Sequence, residues 1–106
     1  MTIPKDQKEK LSTGKTDKVL KKTFIVPNRL GLHARPAALL VQLTNTFNAE
    51  ITVENNGSKV NGKSIMGLMM LAAAYNTRLH FEAHGPDSQV ALTKIKELFD
   101  KKFHEK

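Results

Sequence analysis

The chain has 106 residues and a mass of 11.8 kDa, room for one domain with one small core, which excludes a large multidomain catalyst. Hydrophobic residues make up 40% and charged residues 25%, ordinary for a globular domain and too apolar for a fully disordered chain. Seventeen basic residues against 10 acidic ones give a formal charge of +7, which attracts acidic partners and admits nucleic acid; the lack of cysteine excludes disulfides, a thiolate nucleophile and a thiolate zinc site.

The charge is uneven. Residues 1–22 hold seven lysines against three acidic residues, and residues 23–106 hold ten basic against seven acidic ones. The first stretch has Pro4 and Gly14 as breakers and few large apolar side chains, so it buries too little surface to offset its ordering entropy. A flexible basic extension is expected over residues 1–22. Two readings of it stay open: a solvated tail, or an arm for nucleic acid, anionic lipid or an acidic protein. It carries no apolar run of the kind found in signal peptides or membrane helices, so no membrane insertion is expected and a cytoplasmic location is the default.

The folded domain is expected over residues 23–106. Thr23–Phe24–Ile25–Val26 is β-branched and aromatic, reads as a strand, and stops at Pro27–Asn28. After a short loop, Ala37, Leu40, Val41, Thr44 and Phe47 recur at helical spacing, which predicts a helix from Ala34 to about Asn48. Glu50–Glu54 alternates, Asn55–Asn56–Gly57 tolerates positive φ, and Ser58–Asn61 continues the pattern, so a hairpin is expected there. The pattern Asn56-Gly57-Ser58 also matches a glycosylation acceptor, but in this setting it is better read as the hairpin turn. Ser64 precedes an apolar run over residues 65–74 and reads as the N-cap of a shorter helix. A strand over Arg78–Ala83 follows, and a last helix opens at Ser88 with Val90, Ala91, Ile95, Leu98 and Phe99 on its inner face. The order βαββαβα packs coherently as an α+β open-faced sandwich: a four-stranded, mainly antiparallel sheet covered on one face by three helices.

The most informative segment is Gly31-Leu32-His33-Ala34-Arg35-Pro36-Ala37-Ala38. Proline suits the first helical turn, where its missing N–H costs nothing, so His33 falls at or just before the helix start. The unpaired amides and the helix dipole there favour an anion by roughly 0.3–1 kcal/mol at an exposed site. They also favour the neutral, nucleophilic imidazole over the imidazolium. Arg35 can offer a planar guanidinium to phosphate oxygens. A histidine that accepts a phosphoryl group wants this set: a neutral nitrogen, amide donors and a fixed cation. The residues alone also allow a loop-ending histidine beside a surface arginine; what favours the chemistry is the placement between a strand and a helix start.

This segment resembles the active-site signature of the HPr family, the histidine-containing phosphocarriers of the bacterial phosphoenolpyruvate-dependent sugar phosphotransferase system. Val60-Asn61-Gly62-Lys63-Ser64-Ile65-Met66-Gly67-Leu68 resembles the regulatory serine region of the same family, at the expected distance downstream. The resemblance implies that enzyme I, charged by phosphoenolpyruvate, phosphorylates Nδ1 of His33 and that enzyme IIA domains receive the group. Arg35 would steady the phosphate, and the amides of Ala34 and Arg35 would donate to its oxygens. It implies a monomeric carrier, not an independent catalyst, that needs no cofactor and no metal.

As an N-cap, Ser64 is structural. The resemblance adds phosphorylation by HPr kinase/phosphorylase, and the two roles are compatible. Leu68, Leu71 and Ala72 suffice for an inner helix face, which leaves some of Ile65, Met66, Met69 and Met70 for the outside. In the family this region docks partners, so Ile65, Met66, Met69 and Leu39 are the expected contacts, methionine suiting a surface that fits several partners. A second class of function is a regulatory protein of a nitrogen-related or carbon-catabolite branch that acts through Ser64 and docking; the longer approach loop with Arg29 resembles variants of the nitrogen-related branch as well as sugar-uptake forms and does not choose between them. Specific nucleic-acid binding through the basic arm is a third class, disfavoured because five Phe and one Tyr fall mostly on core stripes and leave no stacking platform. His80, His84 and His104 lie apart along the chain at no metal-binding spacing and are expected to be incidental.

Overall fold

Seven residues, Val19–Ile25, form the first strand, β1, in a computed structural model that describes residues 19–105. The strand starts four residues before the expected Thr23, because Leu20 already packs on the core as Phe24 does, and the pairing from Val19↔His84 to Ile25↔Arg78 is unbroken. Exposed Lys21 and Lys22 are no obstacle on an edge strand, where lysine is a common guard against further pairing. Residues 19–22 therefore belong to the folded domain. The remainder of the expected extension, residues 1–18, lies outside the described residues.

The other elements are α1 (Ala34–Thr44), β2 (Glu50–Asn55), β3 (Ser58–Asn61), α2 (Ile65–Met70), β4 (Arg78–His84), α3 (Ser88–Asp100) and a short turn of helix, Lys102–His104. The sheet order is β1-β4-β2-β3, antiparallel throughout, as the α+β reading expects. Ile51, Val53, Leu79, Phe81 and Ala83 alternate on the face that the helices cover, where they join Leu40, Leu68, Ile95 and Phe99 in one apolar cluster. Four phenylalanines knit sheet to α3, with Phe24, Phe81, Phe99 and Phe103 at centroid separations of 4.8–5.6 Å. The opposite face stays polar: Lys21, Glu82 and Thr52 share one cross-strand row, and Thr23, His80, Glu54 and Lys59 the next.

Two helix ends and one helix face differ from expectation. Helix α1 stops at Thr44, whose hydroxyl donates to the Gly62 carbonyl at 2.9 Å, and the amides of Asn48 and Ala49 turn away to the Asp87 carboxylate, both at 2.8 Å. Phe47 is consequently only half-buried. Helix α2 ends at Met70 although three alanines follow, because Ala72 takes a left-handed φ of 51° and Ala73 spends its carbonyl on a tertiary bond. Local propensity loses to tertiary hydrogen bonding there. On α3 the buried stripe is Ser88, Ala91, Leu92, Ile95 and Phe99, so Val90 faces solvent and Leu92 takes the place assigned to it.

Candidate functional site

The loop from β1 into α1 is held at several points by backbone bonds. The Val26 amide donates to Thr77 and its carbonyl accepts from Asn76, both at 2.9 Å, while the Leu32 amide donates to the Ala73 carbonyl at 2.9 Å. Gly31, at φ 75°, lies so close to that carbonyl that a Cβ would stand 2.6 Å from the oxygen. The segment after α2 thus acts as a rigid seat for the residue two places on from Gly31, which is His33.

His33 is the N-cap residue of α1, as its position before Pro36 predicts. Its carbonyl accepts from Ala37 at 3.0 Å, but its side chain makes no capping bond. The amides of Ala34 and Arg35 face the helix start without carbonyls one turn earlier to bond, and Pro36 brings no N–H. Ala34 and Arg35 are exposed, and Pro36 is buried against the core. Arg35 lines a hollow together with Arg29, Leu30, Leu39, Phe103, His104 and Glu105, so two arginines border the same depression. An incoming phosphoryl group would meet amide donors and cations here, which is the environment that stabilises transferred negative charge.

Two residues that sequence reasoning missed complete the site. Glu105 brings Oε2 to 3.2 Å from Nε2 of His33. Asn28, only 4% exposed, donates through Nδ2 to Glu105 Oε1 at 2.6 Å and to the Lys102 carbonyl at 3.0 Å. Although 35% of the His33 side chain is exposed, Nε2 itself has no solvent contact and no aligned hydrogen bond; its contact with Glu105 meets an ion-pair distance only. Asn28 stands five residues ahead of the histidine in a loop, and Glu105 is 72 positions beyond it, so no local pattern links them. The sequence offered Asn28 only as the residue after Pro27 that helps end the strand, which gives no hint of a tertiary partner.

Ser64 caps α2 as expected, its hydroxyl accepting from the Gly67 amide at 3.0 Å. Leu68 and Leu71 point inward, and Ile65, Met66 and Met69 are exposed, with Met66 at 75%. Met70, at 79%, belongs to the same outward set, and Leu30, at 81%, stands beside Arg29 in the approach loop. Leu39 differs from its expected partners: it is half-buried, packs on the core and borders the Arg35 hollow. His80 lies on the polar sheet face, its Nδ1 2.8 Å from the Thr23 hydroxyl. Among the described residues no helix is long and apolar enough to cross a membrane.

Comparison with known proteins places the chain in a family. The family described as "PTS HPr component phosphorylation site" matches residues 20–101. The chain is 46% identical over 84 residues to "Phosphocarrier protein HPr" of Treponema pallidum, covering 79% of this chain and 96% of that one. It is 51% identical over 67 residues to "HPr-like protein Crh" of Bacillus subtilis, covering 63% and 79%. Among solved structures, HPr from Thermoanaerobacter tengcongensis superposes with a TM-score of 0.79 at 40% identity, covering 82% of this chain and 98% of that one.

Proposed function

The chain belongs to the HPr family of phosphotransferase-system phosphocarriers, and from that premise we propose that it carries the phosphoryl group on Nδ1 of His33, between enzyme I and enzyme IIA domains. The observation that supports the residue assignment most directly is the N-cap geometry: His33 opens α1 without capping it, leaving the Ala34 and Arg35 amides and the Arg35 guanidinium for the phosphate. Such a protein is a component of a transfer chain, not an independent catalyst. Incubation with enzyme I and phosphoenolpyruvate labels the chain with an acid-labile, base-stable phosphate; His33→Ala abolishes the label, and a labelled His33→Ala protein would refute the assignment.

Docking falls to the exposed apolar residues Ile65, Met66 and Met69, with Met70 and Leu30 beside them in the outward set and Leu39, which borders the same hollow as Arg35, as the inner margin. The protein acts in the cytoplasm as a monomer, and residues 1–18 supply a basic extension that assists encounter with acidic partner surfaces. No specific nucleic-acid role is assigned to it.

A second reading is supported by Ser64 itself. Its hydroxyl is already presented to the Gly67 amide next to the exposed methionines, and a phosphate there would place about two negative charges beside the docking surface. HPr kinase/phosphorylase would then serve as a switch, slowing transfer to His33 and opening a regulatory role in a nitrogen-related or carbon-catabolite branch.

A further inference from the structure

We infer that Glu105 is a positioning residue for His33, which fixes the ring tautomer that makes Nδ1 the acceptor and steadies the ring once it is phosphorylated. The inference rests on the reading of His33 as the phosphoryl acceptor and adds a role for the end of the chain.

Three features show that Glu105 is placed rather than loose. Phe103, 1% exposed, is anchored against Phe99 at a centroid separation of 4.8 Å, which fixes the chain two residues before Glu105. Lys102, Phe103 and His104 all take left-handed φ angles, 53°, 54° and 62°, a run that non-glycine residues sustain only where surrounding contacts hold it. Asn28 then grips this turn twice, through the Lys102 carbonyl and the Glu105 carboxylate. The outcome is a carboxylate oxygen 3.2 Å from a ring nitrogen that has no solvent contact.

A neutral imidazole carries its proton on one nitrogen and a lone pair on the other. With a carboxylate facing Nε2 and no water there, a lone pair on Nε2 would repel Glu105, so the proton resides on Nε2 and the lone pair on Nδ1. In transfer, that lone pair forms the N–P bond as the bond between phosphorus and the donor atom breaks, its electron pair remaining with the donor. No proton moves. The ring becomes a phosphorylated imidazolium with Nε2–H retained, and Glu105 balances its charge. On the onward step the N–P electron pair returns to the ring, which is neutral again.

The test uses the full chain labelled with 15N and two variants. Long-range 1H–15N spectra of unphosphorylated wild type are expected to show His33 with a strongly acceptor-type Nδ1 and a donor-type Nε2. Glu105→Ala moves the two ring shifts toward each other while the amide spectrum stays folded; unchanged ring shifts overturn the inference. Glu105→Gln keeps an acceptor oxygen but removes the charge that balances the phosphorylated imidazolium, so transfer from phosphorylated enzyme I to His33 slows about tenfold, the scale of one lost charge-assisted hydrogen bond. A Glu105→Gln rate equal to wild type overturns the charge-balancing half. Failure of the acceptor reading is distinguished by a labelled His33→Ala protein, because the ring shifts report on Glu105 whether or not His33 is phosphorylated.

Discussion

Gly31→Ala is the perturbation that most directly couples the fold to the site. Gly31 has φ 75°, and its Cβ position stands 2.6 Å from the Ala73 oxygen and 3.2 Å from the Ala74 Cα. Gly57 offers a matched control at φ 83°, with nothing within 4 Å of its Cβ position. Both alanine variants take a side chain into the left-handed region, which costs about 1–2 kcal/mol, offset in part by about 0.4–1 kcal/mol from a stiffer unfolded chain. Only Gly31→Ala also drives the loop off the Ala73 carbonyl, which breaks the Leu32–Ala73 hydrogen bond and adds about 1–2 kcal/mol for the bond and the group left unpaired. The expected losses are about 1 kcal/mol for Gly57→Ala and about 2–3 kcal/mol for Gly31→Ala, read from urea denaturation midpoints at constant slope. Because His33 follows two residues later, Gly31→Ala also slows labelling by enzyme I, by up to about 100-fold for a displacement near 1 Å, while Gly57→Ala leaves the rate unchanged. If Gly31→Ala costs no more than Gly57→Ala, the seat formed by Ala73 does not hold the site.

Two further expectations can be checked with the same protein. Ser64→Ala removes the hydroxyl that accepts from Gly67 and lowers stability by about 1 kcal/mol in chemical denaturation; a loss within error of zero would mean the cap contributes nothing. Asp87 is held below its ordinary carboxyl value of 3.8, first by the Asn48 amide and also by the Ala49 amide. Its folded pKa lies below the unfolded one, so the stability it contributes is present above about pH 4 and is lost as pH falls through the lowered folded value. Asp87→Asn should therefore flatten the acid limb of the stability curve below pH 4, and an unchanged limb by thermal melts in that range would refute the linkage.

Much of the architecture was legible because it depends on period and on caps. Alternation in Glu50–Glu54 and Arg78–Ala83, the positive-φ residues at Asn56–Gly57, Pro36 after His33 and Ser64 before an apolar run are all local signals, and each marks an element the fold contains. Where expectation and structure part, a distant residue decides. Lysines at 21 and 22 masked a strand whose start is set by pairing with β4, and three alanines after Met70 invited a longer helix that the Leu32–Ala73 bond stops. Val90 and Leu92 exchange places because the inner stripe of α3 is set by the sheet beneath it.

The acceptor chemistry follows the same division. The order of residues around His33 by itself determined a histidine at a helix start with an arginine and open amides, since these sit within one turn of each other and obey short-range geometry. Tertiary structure alone decided which ring nitrogen is shielded and which group faces it. That outcome needs Phe103 packed on Phe99, a left-handed turn held by Asn28, and a carboxylate from the far end of the chain. None of these has a sequence period, because contacts between residues so far apart along the chain are set by how the sheet and helices pack.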